Sequence, residues 1–267
     1  MSTPQELLTH RVPEPRHTLR YGTHEQQVAD VWLPDSEPFA VVLFLHGGFW
    51  REAHDRHYTD PFVHALARTG YVAVNVEYRR IGGAGGNPQT FDDIALAIDE
   101  LPEIARSACG LPADKPVILA GHSAGGHLAL WASARHLLTA SSPWHTPNPV
   151  QADGILALAA VTSIASALAD GIGENAAAEL LAEEDNLDRI DPGRIGAGPA
   201  ATALVHGKLD HRVPFGYSTV HQRMLEEAGT PVRLDVLSNA GHFEIIDPFS
   251  SAWSTVLADL NWLVSRS

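Results

Sequence analysis

Short apolar runs alternate along this chain with amphipathic stretches, and that alternation predicts a layered α/β molecule. The runs at 39–45, 71–76, 117–120, 154–160, 201–205 and 233–237 have the length of strands and are mostly apolar on both faces, as strands covered on both sides by helices require. Upstream, the segments 18–21 and 28–33 flank Gly22-Thr23-His24-Glu25 and predict an antiparallel hairpin, which brings the strands to eight. Helices are expected at 58–68, 90–107, 124–138, 217–228 and 250–264. In the second of these, Phe91, Ile94, Ile98, Leu101 and Ile104 recur at intervals of three and four, one apolar stripe along a helix, and Pro102 predicts a kink or restart within it. The expectation is a mostly parallel eight-stranded sheet with helices on both faces, built as a single domain over residues 1–267.

Two segments break the alternation. Residues 139–150 read as an irregular excursion rich in Ser and Pro. Residues 162–199 are alanine-rich, then acidic, with Gly171, Gly173, Pro192, Gly196 and Gly198 as punctuation. Both are expected to form cap segments over the carboxyl ends of the strands and to shape access there. The alternative for 162–199 is the outer helix of an ordinary crossover.

Composition narrows the function. Thirty-two acidic against eighteen basic residues give a net charge of −14, which disfavours nucleic acid or an anionic membrane as partner. Cys109 is the single cysteine, so an intramolecular disulfide and a Cys-based zinc cluster are excluded, and its place at a helix end before Gly110 predicts a partly buried side chain. The N-terminal Met1-Ser2-Thr3-Pro4-Gln5-Glu6 lacks the charged-then-apolar order of a signal peptide, and no apolar run has the length of a membrane span. A cytoplasmic protein with no membrane partner is expected; the sequence assigns no oligomeric state.

The candidate chemistry starts at Gly121-His122-Ser123-Ala124-Gly125, which lies between the apolar run Pro116-Val117-Ile118-Leu119-Ala120 and the helical run Gly126-His127-Leu128-Ala129-Leu130-Trp131-Ala132. A serine on a sharp strand-to-helix turn needs neighbours without side chains at minus two and plus two, and it stands exposed above the positive end of the helix dipole. A neutral hydroxyl is a weak nucleophile, so it needs a base that is itself oriented by an acid. Asp210 follows the strand 201–205 and His242 follows the last strand; Ser, Asp and His thus fall in order, each just past a strand's carboxyl end. His127, His206 and His211 compete as bases, but none follows the last strand, and they read as structural. His46-Gly47-Gly48-Phe49-Trp50 follows the strand 39–45, and its consecutive glycines allow backbone N–H groups to turn toward a developing oxyanion together with the N–H of Ala124. A metal held by His46, His54 and His57 is the rival for this region, but the spacing fits no metal motif; neither metal nor cofactor is expected.

The set Gly121-His122-Ser123-Ala124-Gly125-Gly126-His127-Leu128, Asp210 with Val213-Pro214, and Gly241-His242 resembles the α/β-hydrolase superfamily of esterases and lipases over nearly the whole chain. His46-Gly47-Gly48-Phe49-Trp50 is similar to the His-Gly-Gly-any-Trp signature of the kynurenine formamidase (arylformamidase) group. Asn75-Val76-Glu77-Tyr78-Arg79-Arg80, with Asp92-Asp93, is similar to a framework segment of the same superfamily. The resemblance implies an α/β-hydrolase fold with Ser123, Asp210 and His242 catalytic, and Gly48, Phe49 and Ala124 forming the oxyanion hole. Trp50 and Phe243 are candidates for stacking an aromatic substrate group. The substrate would be a small-molecule ester or amide: a carboxylesterase is the first reading, an arylformamidase acting on N-formylkynurenine or related aryl formamides the alternative. A non-catalytic ligand-binding protein of this fold would be expected to lack a triad member, and all three are present.

Overall fold

The computed structural model describes residues 3–148, 152–181 and 187–267. Eight strands form one sheet: β1 (His17–Arg20), β2 (Val28–Trp32), β3 (Val41–Leu45), β4 (Val72–Val76), β5 (Val117–His122), β6 (Gly154–Leu158), β7 (Ala201–Gly207) and β8 (Val232–Leu237). Their order is β1-β2-β4-β3-β5-β6-β7-β8. The hairpin β1–β2 is antiparallel, β2 also runs antiparallel to β4, and every other neighbouring pair is parallel. The loops after β3, β5, β7 and β8 therefore open at the same edge of the sheet.

The strands are apolar on both faces because both faces are covered. Along β3, Val41, Leu43 and Leu45 pack into one cluster with Phe91, Ile94, Leu128 and Trp131, while Val42 and Phe44 pack into the other with Phe62, Val63, Val256 and Leu260. The covering helices are α1 (Pro4–Leu7), α2 (Asp60–Arg68), α3 (Gln89–Cys109), α4 (Ala124–Ser133), α5 (Ile164–Ala169), α6 (Ala176–Leu181), α7 (Leu187–Ile190), α8 (Pro192–Ile195), α9 (Gly216–Glu227) and α10 (Trp253–Val264).

Several expected boundaries shift for local reasons. β3 begins at Val41, and Phe39 lies outside it at 56% exposure, with its ring over Gly70 and edge-on to Tyr71. α3 runs through Pro102 as one helix and stops at Gly110, whose φ of 64° suits a residue without a Cβ. Cys109, its last residue, is partly buried, as expected.

The two excursions are packed rather than loose. In the first, Trp144 is buried against Phe91 and Trp131, and its Nε1 donates to Asp92 at 2.8 Å. Residues 149–150 of that segment lie outside the described residues, as do 182–186 of the second. In the second, Ile164, Ala176, Leu180 and Ile190 join the same core cluster as α4. His127 Nε2 and Trp131 Nε1, both on α4, bond to the carbonyls of Ile190 and Arg189 at 2.8 Å each. The segment is anchored on α4, and it reaches the edge of the sheet where Gly173 lies against the ring of Phe49 and Arg51 forks onto Glu179.

Candidate active site

Ser123 sits between β5 and α4 with φ 57° and ψ −119°, a conformation that costs a non-glycine residue about 1–3 kcal/mol and persists only when the surroundings fix it. They do: Ser123 N donates to Leu158 O at 2.8 Å, and Ser123 O accepts from His127 N and Val161 N. The flanking glycines are sterically required. A Cβ on Gly121 would lie 2.2 Å from Gly125 O, and one on Gly125 would lie 2.0 Å from Leu45 O. The turn thus brings the start of α4, with its unpaired N–H groups and positive dipole end, directly beneath the serine.

From the loops after β7 and β8, Asp210 and His242 meet. His242 Nδ1 lies 2.6 Å from Asp210 Oδ2, so the N–H of the ring's δ nitrogen points at the carboxylate and the ε nitrogen is left with its lone pair. Asp210 Oδ1 accepts from the backbone N–H groups of Arg212 and Val213 at 2.8 and 2.9 Å. Burial alone would raise this carboxyl, but hydrogen bonds from His206 and His242 hold it far below the usual carboxylate range. His242 is displaced downward, first by burial, with Asp210 working the other way, so the buried ring is neutral at pH 7. Ser123, His242, Gly48, Phe49 and Phe243 line one cleft of about 110 Å³. No hydrogen bond joins Ser123 Oγ to His242; such contacts commonly tighten only around substrate.

Gly48, Phe49 and Trp50 carry φ values of 107°, 53° and 58°, a left-handed run that turns the backbone away from β3. The N–H groups of Gly48, Phe49 and Ala124 have no acceptor among the described residues, which suits donors reserved for an oxyanion. Gly47 N–H is committed elsewhere, to Tyr58 Oη at 2.7 Å. Beneath this loop His46 Nε2 lies 3.0 Å from Glu77 Oε1, and Tyr78 Oη donates to His46 O at 2.7 Å. Arg80 and Arg56 supply the positive charge for Glu77, while burial and then Arg80 push His46 down to about 3, so His46 supports the loop as a neutral ring.

Trp50 is placed away from the cleft. At 1% exposure it belongs to the core, and its indole N–H donates to His127 Nδ1 at 3.2 Å. Trp50 is a candidate for stacking a substrate ring by residue type alone; with φ 58° and its indole in the core, it does not line the cleft. Phe243 does line the cleft. His206, expected to be purely structural, reaches the site: its Nε2 lies 3.3 Å from Asp210 Oδ2 and 2.9 Å from Val213 O, while Nδ1 meets Ser218 Oγ at 2.7 Å. His122 is a further wall residue, its ring 4.5 Å from that of His242 and its Nε2 3.0 Å from His242 O. The spacing of four from His206 to Asp210 was a signal for the first; nothing in the pattern marked His122 beyond its place in the pentapeptide. His46, His54 and His57 do not converge. His46 bonds to Glu77, His57 pairs with Asp60 at 3.1 Å, and among the described residues no three His, Cys, Asp or Glu side chains are grouped to hold a metal ion.

Similar proteins share this architecture. Monoacylglycerol lipase of Mycolicibacterium smegmatis (strain ATCC 700084 / mc(2)155) is 29% identical over 204 residues, 75% of this chain and 69% of that protein. A non-reducing polyketide synthase of Stereocaulon alpinum is 32% identical over 115 residues, which cover 39% of this chain and 4% of the synthase. Among solved structures, esterase B of Lactobacillus rhamnosis superposes with a TM-score of 0.81 at 20% identity, covering 98% of this chain and 90% of its own. The propionate-bound esterase Est2 of Thermogutta terrifontis superposes at 0.70 and 20% identity, with 93% of each chain covered. These structural likenesses establish the fold. The family model described as BD-FAE matches residues 29–225, well over half of the sequence, and the chain belongs to that α/β-hydrolase family.

Proposed function

We propose that this protein is a serine hydrolase of small carboxylic esters. The observation that carries the reading is the convergence of four loops, those after β3, β5, β7 and β8. A strained Ser123 shares one narrow cleft with a His242–Asp210 pair and with the unpartnered N–H groups of Gly48 and Phe49. In this reading Ser123 Oγ attacks the ester carbonyl and its proton passes to His242 Nε2, while Asp210 holds the imidazole in the required tautomer. The carbonyl oxygen becomes anionic and accepts from the N–H groups of Gly48, Phe49 and Ala124, each worth about 3–4 kcal/mol in comparable sites. His242 then returns the proton to the leaving oxygen, and water repeats the sequence on the acyl-enzyme. The names of the lipase and esterases to which the chain is similar support ester substrates.

The whole chain acts as one domain, and residues 162–199 bear on access where Gly173 meets Phe49. A cleft of about 110 Å³ favours short acyl groups. That narrowness also favours a second reading, hydrolysis of an aryl formamide, whose acyl carbon carries only hydrogen. Catalytic efficiencies for aryl acetate, butyrate, hexanoate and N-formylkynurenine decide between them. Acetate is expected to exceed hexanoate by at least tenfold and to exceed the formamide. A preference for N-formylkynurenine above a hundredfold, about 2.7 kcal/mol of transition-state energy, would replace the esterase reading with the formamidase one.

A further inference from the structure

The cleft has one feature that ester hydrolysis alone does not use. Arg212 lines it together with Ser123, His242 and Phe243, and is the only Lys or Arg among the described residues that line it. Its backbone N–H is fixed to Asp210 Oδ1 at 2.8 Å, and its guanidinium lies over the Phe243 ring, 5.1 Å from the centroid. Arg51, Arg56, Arg79, Arg80 and Arg135 each hold a carboxylate, whereas the Arg212 guanidinium forms no salt bridge or hydrogen bond with the described residues. Its field crosses the cleft: after burial, Arg212 is the next cause depressing the His54 imidazole.

We propose that Arg212 is a specificity residue that recognises a carboxylate on the leaving group of the substrate, an inference that rests on the serine-hydrolase reading. The side of the cleft follows from the chemistry. His242 must hand its proton to the departing oxygen, so the leaving group lies on the histidine's side of Ser123, and Phe243 and Arg212 are the wall there. A guanidinium presents a planar fork that matches a carboxylate through two parallel hydrogen bonds, and the Phe243 ring beneath it adds an apolar wall beside an aromatic leaving group. The substrate class is an aryl ester of a short acid whose phenol carries a carboxylate. The reaction is the same acyl transfer to Ser123 and then to water, and the carboxylate is bound but not transformed.

The test compares 3- and 4-acetoxybenzoate with the neutral 4-acetoxybenzamide, which share one acyl group, each rate divided by the compound's own hydroxide-catalysed rate. At low ionic strength the anionic esters are expected to lead in kcat/KM by about tenfold. The ratio should shrink as salt is raised through about 0.1 M, where the screening length is near 10 Å. Arg212→Gln should bring the ratio close to one, and Arg212→Lys should restore part of it; a merely structural role would lower all the esters together. A ratio of one or less in the unmodified protein, or a ratio unchanged in Arg212→Gln, overturns the inference while leaving the hydrolase reading standing. Failure to hydrolyse any of the acetates overturns both.

Discussion

At His242 two opposed forces act on one proton. Burial disfavours the imidazolium, Asp210 at 2.6 Å favours it, and burial prevails. In the proposed mechanism the sign has a kinetic consequence, because His242 acting as general base must be neutral. With its value in the folded protein below the ordinary 6.5, the ring stays neutral to lower pH, and activity is lost only as pH falls through that depressed value. The acid limb of kcat/KM for a neutral aryl acetate is therefore expected below pH 6.5. Asp210→Asn should move it lower still and reduce kcat by roughly 10⁴, as loss of the oriented tautomer does in such triads. A limb at or above pH 6.5 would show that another group governs the rate. Ser123, Asp210 and His242 could be read from the chain because each directly follows a strand, and strand ends are where a parallel sheet collects its loops. His206 was signalled only by its spacing of four from Asp210, and His122 and Arg212 were not legible, since their places arise from contacts with His242 and Phe243, distant in sequence. Trp50 misled for a related reason: the pentapeptide reveals the turn but not that φ of 58° sends the indole into the core.

Among the elements, the strand–turn–helix of β5 and α4 was legible down to its glycines, because close packing there leaves no room for a Cβ at Gly121 or Gly125. The segment 162–199 was less so. The sequence offers a small cap of short helices or an ordinary crossover for it; the short helices bury Ile164, Ala176 and Leu180 in the main core and are pinned to α4 through the Ile190 and Arg189 carbonyls. Alanine-rich helices have little amphipathic signal, so their anchoring face is invisible until the partner helix is placed. Leu180 is fully buried and does not line the cleft. Leu180→Ala is thus expected to cost about 2–5 kcal/mol in stability, read as a lowered Tm, and to leave the order of preference among acyl chain lengths intact. An unchanged Tm with an altered order of preference would mean that this segment acts as a substrate-shaping cap and not as a packed crossover.

Across the whole molecule, the order β1-β2-β4-β3-β5-β6-β7-β8 gathers residues nearly two hundred apart in sequence, His46 to His242, at one edge of the sheet. The alternation of apolar runs and helices foretold this edge, while the net charge of −14 carried no information about it. The central claim is that Ser123 is the nucleophile in a site that needs no metal. It is tested most directly by treating the chelator-washed protein with a fluorophosphonate and mapping the modified residue by peptide mass spectrometry. The account predicts one label per chain on Ser123, loss of esterase activity in proportion to labelling, and no label in His242→Ala at the same exposure. Stoichiometric labelling of a different serine, or activity that disappears with chelation and returns with zinc, would contradict it.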